Sequence, residues 1–148
     1  MLFRSNAHLN LNLLGAGIHE FVPDMYGAQT GSRIHGALGT DRLVARWNVS
    51  AEPVPLPDDP ALAQGVPVVA GPPGRCLDPS ATLPDAHAVA VRIPNDYHHL
   101  LDHDLERARS WRTAARRAFL HYLSTGYRVS AFLPDRAGDA TYLLTRSV

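Results

Sequence analysis

The sequence predicts an α+β fold in which one long amphipathic helix packs across a mostly antiparallel sheet. Residues 104–126 place apolar side chains at three- and four-residue steps, the period of one helix face. Five other segments alternate apolar and polar residues, as half-buried strands do. The last two follow the helix directly and are joined by a turn-forming stretch, residues 134–139, which predicts a helix lying against a β-hairpin.

The long helix has two distinct faces in this prediction. The apolar face, expected to enter the core, consists of Leu105, Ala108, Trp111, Ala115, Ala118, Phe119 and Tyr122. The arginines fall mostly on the other face, expected to be solvated, and are Arg107, Arg109, Arg112, Arg116 and Arg117. Asp102 or Asp104 can cap the start by accepting a backbone N–H, and Gly126 can end the helix in a left-handed turn.

The remaining elements are predicted in chain order. A short helix over residues 6–14 would bury Leu9 and Leu13, with Leu14 as a further member of the stripe. Strands are expected over residues 16–22, 42–49, 87–93, 127–133 and 141–146, and residues 25–39 read as a loop. Within 42–49 the alternation puts Trp47 and Val49 on the buried side with two smaller apolar residues.

The chain divides into three segments of one domain. Residues 1–49 form the first, residues 50–86 an irregular proline-rich insert, and residues 87–148 a strand–helix–hairpin unit. Nine of the 12 prolines lie within the insert, and proline withholds a backbone donor and disfavours helix before it. Residues 66–70 are its one candidate strand.

The amino-acid composition argues against several classes of function. The formal net charge is zero, so no overall charge would draw the chain to nucleic acid or to an anionic membrane. All 14 basic residues are arginine, which leaves no lysine for a Schiff base or a phosphate-binding loop. No apolar run has the length of a membrane span. Cys76 is the only cysteine, so a cytoplasmic location without an intrachain disulfide is expected.

The densest polar cluster lies before the long helix. It contains His98, His99 and His103 together with Asp96, Asp102 and Asp104. One helical turn separates His99 from His103, which is metal-ligand spacing, but no third ligand is identifiable. These side chains are therefore interpreted as capping and solvent-facing groups, and no metal is expected. Gly31-Ser32-Arg33 lacks the second glycine of a hydrolase nucleophile turn and any clear preceding strand.

Several short blocks, in order, resemble one known family. They are Ser5 to Ala16 (SNAHLNLNLLGA), Tyr26-Gly27, Gly39 to Leu43 (GTDRL), Trp111-Arg112 and Gly126 to Val129 (GYRV). The chain resembles the C-terminal part of an uncharacterised bacterial branch of the GNAT acyltransferase superfamily, extended by the helix and hairpin. The resemblance implies acetyl-CoA-dependent transfer to an amine, with Asn6 and Asn10 hydrogen-bonding the pantetheine arm of the cofactor.

The chain also departs from that family. The glycine-rich turn that binds the cofactor pyrophosphate would lie upstream of the Asn block, and only five residues precede Asn6. The family's general-acid tyrosine would fall at Leu11, which cannot donate a proton. No catalytic residue carries over, and whether the chain is an enzyme is left open. It is expected to be a C-terminal fragment, inactive alone.

Two function classes follow. One is this acyltransferase fragment. The other is a binding or interaction domain without chemistry, in which the missing N-terminal half or a second copy covers an exposed sheet edge. If the strand at 16–22 is paired along both edges within the chain, a complete domain is favoured, and an open edge favours a fragment.

Overall fold

The computed structural model describes residues 7–24, 41–71, 80–94, 99, 102–134 and 139–146, with the side chain of His19 excepted. In chain order the elements are a short π-helix His8–Leu13, β1 Gly17–Val22, β2 Arg42–Arg46, a 3₁₀ turn Pro60–Ala63, β3 Val68–Ala70, β4 Ala88–Ile93, the long helix α1 Leu105–Ser124, β5 Tyr127–Pro134 and β6 Ala140–Arg146. The α+β class is confirmed, with one long helix packed against a sheet.

The strands form two sheets among the described residues, where the sequence predicted one that is mostly antiparallel. β1 and β2 make an antiparallel ribbon, and the other four strands form a sheet in the order β3-β4-β6-β5. In the larger sheet β3 runs parallel to β4, so this sheet is mixed. A parallel pair cannot be joined by a tight turn, and residues 71–87 separate β3 from β4 in the sequence. β1 also contacts β5, without being paired to it.

Helix α1 holds the two sheets together. Its start is capped as predicted, because the Asp104 carboxylate accepts from the Arg107 backbone N–H, and Gly126 follows its end with φ of +92°. Phe119 stacks on Phe21 of β1 at 5.4 Å and meets Tyr142 of β6 edge-on at 5.6 Å. Six of the seven residues predicted for its apolar face are buried: Ala108, Trp111, Ala115, Ala118, Phe119 and Tyr122. The seventh, Leu105 in the first turn, is 36% exposed.

The proline-rich insert covers the opposite side of the larger sheet. There Ala131, Leu133 and Leu143 form a second apolar cluster, packed against Ala63 and Val66 of the insert. The backbone N–H of Phe132 in β5 donates to the carbonyl of Pro57 at 3.3 Å. The insert is therefore part of the fold, although much of it has no regular secondary structure.

The predicted apolar stripe of the first helix is wrong. Leu9 and Leu13 are 46% and 58% exposed, whereas Leu11 and Asn12 are buried. The cause is the wider turn of a π-helix, seen in the i→i+5 hydrogen bond from Leu14 N–H to the Leu9 carbonyl. Residues four and five apart then share a face, and the three- and four-residue steps of an α-helix no longer apply.

The strand predicted over 42–49 ends at Arg46. Trp47 is 49% exposed and Val49 is 95% exposed, so neither belongs to a buried face. The Asn48 side chain accepts from the Ser50 N–H, and the Asn48 carbonyl accepts from the Ala51 N–H. Such a local turn competes with strand pairing, which explains why the strand ends before the alternating sequence pattern does.

Tyr142→Phe is expected to raise the free energy of unfolding by about 1 kcal/mol. Tyr142 is fully buried, burial raises the pKa of its phenol, and its hydroxyl has no hydrogen-bond partner among the described residues. Removing the hydroxyl keeps the ring contacts and ends the desolvation penalty. Urea denaturation measures the change. Tyr122→Phe is the matched control, because the Tyr122 hydroxyl donates to the Pro84 carbonyl at 2.9 Å and its loss should destabilise. A destabilised Tyr142→Phe variant would contradict the assignment.

Candidate functional site

Neither of the two predicted cofactor-binding residues can be assigned a ligand role from the structure. Asn6 lies outside the described residues. Asn10 is partly buried in the π-helix, and its backbone carbonyl accepts from the Ala16 N–H at 2.8 Å. It does not line the cavity described next. The contact of Asn6 and Asn10 with a pantetheine arm therefore stays a prediction.

An open cavity of about 300 Å³ lies beside α1, where the helix faces β3 and the segment leading into β4. We call it the α1 groove. Its lining residues are Val69 from β3, Leu83 from that segment, and Glu106, Arg109, Ser110, Thr113, Ala114 and Arg117 from the helix. The helical members recur at three- and four-residue steps, so they form a single stripe along α1.

The segment that closes the groove is fastened by side-chain donors. Arg117 donates to the Ala81 carbonyl, and the Tyr122 hydroxyl donates to the Pro84 carbonyl. The Tyr127 hydroxyl donates to the carbonyl of Ala86. Burial, together with the neighbouring Tyr127, raises the pKa of Tyr122 to about 12, so this phenol stays protonated and remains a donor. The wall opposite α1 is thus held at several points along its length.

The groove combines an apolar floor with a polar rim. Val69 is buried, and Leu83 and Ala114 are partly buried. The charged rim residues Glu106 and Arg109 are exposed, and within the described part of the chain they form no ion pair. Ser110 and Thr113 are exposed as well and lie between them and Arg117 along the stripe. Glu106, Arg109, Ser110 and Thr113 are therefore available to a bound molecule.

The opposite flank of α1 carries a four-membered charge cluster, which we call the Asp–Arg quartet: Asp24, Asp41, Arg112 and Arg116. Arg112 reaches the carboxylates of Asp24 and Asp41 at 3.0 Å each. Arg116 reaches Asp24 at 3.1 Å and Asp41 at 2.6 Å. The Asp24 backbone N–H, at a residue with φ of +46°, donates to Asp41 at 3.0 Å. The quartet joins α1 to the end of β1 and the start of β2.

The electrostatics of the quartet are those of a partly buried cluster in which opposite charges compensate each other. The Asp41 side chain is 4% exposed and that of Arg112 is 16% exposed. Burial alone raises the pKa of Asp41. The hydrogen bonds from Arg116 and Asp24 and the charges of both arginines outweigh burial, so that the pKa lies below its usual value. Arg116 has a raised pKa, chiefly from its hydrogen bond with Asp41. A solvated arginine face is therefore the wrong prediction for Arg112 and Arg116.

A sequence signal for the quartet exists but is weak. Arg112 and Arg116 each follow a core residue of α1, Trp111 and Ala115, so they flank the apolar face instead of opposing it. That position favours partial burial. It does not reveal which carboxylates approach, because Asp24 and Asp41 lie 71 to 92 residues away in sequence.

The histidine cluster is described only in part. The rings of His99 and His103 stack with centroids 4.1 Å apart, and His103 Nδ1 lies 3.1 Å from the His99 carbonyl oxygen. Nowhere in the described ranges do three His, Cys, Asp or Glu side chains come together as a metal site. Asp104 serves as the helix cap.

Among the helices that the structure describes, none combines the length and the apolar character needed to cross a bilayer. Comparisons with protein-family models, with curated proteins and with solved structures return no match.

Proposed function

We propose that this chain is a binding domain that holds a small amphipathic molecule in the α1 groove and performs no chemistry on it. The observation that carries the proposal is the groove itself, with an apolar floor of Val69, Leu83 and Ala114 under a rim of polar and charged side chains. Ligand pockets combine these two features, and their volumes begin at about 300 Å³.

The binding role is favoured over catalysis by the contacts of the lining residues. Covalent catalysis needs a nucleophile within hydrogen-bond reach of a base. In the described part of the groove, no hydrogen bond joins the hydroxyls of Ser110 or Thr113 to Glu106. The Arg117 side chain contacts the Ala81 carbonyl, which serves the wall of the groove. The groove offers positioning contacts for a ligand and no activated group.

The fluorescent probe 8-anilinonaphthalene-1-sulfonate, an amphipathic anion, should bind the folded protein in this groove. Ser110→Trp places a large ring in the groove and should weaken probe binding at least about tenfold. Leu120→Trp, on the exposed surface of the same helix and outside the lining, should leave binding unchanged. Fluorescence titration measures both, and circular dichroism confirms that both variants fold.

Equal probe binding by the two tryptophan variants would contradict the assignment of the site. It would direct attention to the exposed apolar residues elsewhere, such as Leu13 and Val54. No saturable binding to the parent protein would contradict the proposed function itself.

An acetyl-CoA-dependent acyltransferase fragment is the second proposal, and it is supported by the resemblance of the sequence blocks alone. Calorimetry with acetyl-CoA, on this chain and on a version extended upstream in its gene, tests it. Binding by the extended version only would support the fragment, with Asn6 and Asn10 as candidate cofactor contacts. Binding by neither version would leave the domain without chemistry as the better proposal.

The proposed partner, a missing N-terminal half or a second copy, concerns β1. This strand pairs with β2 along one edge, and no strand among the described residues is hydrogen-bonded to its other edge. Light scattering on the purified chain distinguishes a second copy from a monomer. A cytoplasmic location is likewise a proposal, supported by the presence of Cys76 as the only cysteine.

A further inference from the structure

We infer that the ligand of the α1 groove is a single free amino acid with an apolar side chain, bound as a zwitterion. The inference rests on the proposed function and names its ligand class. It is carried by the placement of the Glu106 carboxylate and the Arg109 guanidinium beside an apolar floor of Val69, Leu83 and Ala114. The second guanidinium of the lining, Arg117, lies eight residues further along α1 and donates to the Ala81 carbonyl.

The first step concerns the two opposite charges on the rim. Glu106 and Arg109 are three residues apart on α1, so their Cβ atoms are separated by about 5–6 Å. Both side chains are exposed, and no ion pair joins them in the described structure. An exposed pair at this spacing contributes little when it does form, so a ligand that brings both charges can replace it easily. An α-amino acid brings an ammonium for Glu106 and a carboxylate for Arg109.

The second step concerns the geometry of those contacts. A guanidinium matches a carboxylate in a planar, bidentate arrangement, which an amine or an alcohol cannot form. Ser110 follows Arg109 directly in the chain and adds a hydroxyl donor on the same rim. A carboxylate without an ammonium would face Glu106 uncompensated, and an ammonium without a carboxylate would face Arg109. The end of the rim formed by Glu106 and Arg109 therefore favours a molecule that carries both charges on one end.

The third step concerns the floor. Val69, Leu83 and Ala114 are aliphatic and at least partly buried, so they favour an apolar side chain on the ligand. The cavity of about 300 Å³ lies at the lower limit of ligand pockets and suits one amino acid better than a nucleotide cofactor.

The test uses three molecules that share the same five-carbon 3-methylbutyl group, on the full chain. Leucine carries both charges, 4-methylpentanoate only the carboxylate, and 3-methylbutan-1-amine only the ammonium. Displacement of 8-anilinonaphthalene-1-sulfonate measures their relative affinities. Leucine is expected to bind at least about tenfold more tightly than either analogue. Glu106→Gln should abolish the preference for leucine over 4-methylpentanoate. Arg109→Gln should abolish the preference for leucine over 3-methylbutan-1-amine.

Arg107→Gln is the matched control, because Arg107 is an exposed arginine in the same turns of α1 that does not line the groove. It should leave all three affinities unchanged. Equal displacement by leucine and 4-methylpentanoate would overturn the inference while the proposed binding function stands. The inference is also overturned, with the binding function intact, if Ser110→Trp weakens probe binding but leucine does not displace the probe. If the probe does not bind by fluorescence and leucine does not bind by calorimetry, both proposals fail.

Discussion

Asp41→Asn is expected to lower the free energy of unfolding by about 3 kcal/mol. Asp41 is the most buried member of the quartet and contacts both arginines. Its neutral replacement leaves Arg112 and Arg116 with the single carboxylate of Asp24, which is partly exposed. Breaking a buried ion cluster from one side leaves an uncompensated charge in a poorly solvated place, and this makes the loss larger than that of a surface pair.

Urea denaturation at neutral pH measures this loss, and Glu20→Gln is the matched control. Glu20 pairs with Arg46 across the β1–β2 ribbon at 3.2 Å, but both side chains are more than half exposed. Exposed pairs contribute less than about 1 kcal/mol, so the control should change stability little. Equal losses for the two variants would show that the quartet is no more than a surface ion pair.

The stability difference between the parent chain and Asp41→Asn should depend on pH in a direction that the pKa of Asp41 determines. The pKa of Asp41 is lowered in the folded state, so its carboxylate adds stability above its unfolded pKa of about 3.9. That contribution is lost as the pH falls through the folded-state pKa, because Asp41 must then be protonated. The stability gap between the parent chain and Asp41→Asn should therefore be full at neutral pH and shrink in acid. A gap that is constant down to the acid transition would contradict this account.

Asn12→Asp is expected to lower the free energy of unfolding by about 3 kcal/mol at neutral pH. The Asn12 amide nitrogen donates to the carbonyls of Leu56, Pro57 and Phe132 at 2.8, 3.1 and 3.2 Å. The residue is 7% exposed. Aspartate has the same shape but replaces the donor with an oxygen, which would face carbonyl oxygens in a buried place. Protonation of the new carboxyl restores one donor, so the loss should be smaller in acid.

Thermal and urea denaturation of Asn12→Asp and Asn10→Asp make the test specific. Asn10 lies two residues earlier in the same π-helix and is only partly buried. Its variant introduces the same charge without facing these three carbonyls and should be tolerated. If Asn12→Asp is as stable as Asn10→Asp, the Asn12 amide does not hold the insert to β5.

The helix α1 could be predicted because its signals are local. Its buried face follows from the spacing of Trp111, Ala115 and Phe119, and its ends follow from Asp104 and Gly126. The hairpin β5–β6 was likewise predicted close to its observed bounds, since alternation and turn residues lie within a few positions of each other. These elements depend on neighbours in the sequence.

What the sequence did not predict depends on distant contacts. The quartet joins residues of α1 to Asp24 and Asp41, and no local pattern connects them. The burial of Asn12 requires carbonyls of the insert and of β5. The parallel pairing of β3 with β4 likewise depends on the path of the chain between them. The periodicity of a sequence predicts which face of an element a side chain lies on. It does not predict which distant residues pack against that face.

The candidate site lies between these cases. The stripe Glu106, Arg109, Thr113 and Arg117 could be read from helical spacing, although Arg109 and Arg117 were expected on a solvated face. The cavity itself requires Val69 and Leu83 from the insert, whose placement follows from tertiary packing. The groove was therefore not predictable before the position of the insert was known.

The hydrogen bonds at Phe132 give the proline-rich insert a role in preventing aggregation. β5 is the last strand of the larger sheet, and the N–H and carbonyl of Phe132 point outward to Pro57 and Asn12. Uncovered outer strands recruit strands from other molecules and start aggregates. Pro57 itself has no backbone N–H that could pair with a strand of another molecule. Shortening the insert would thus remove core contacts and also open a template for intermolecular sheet growth.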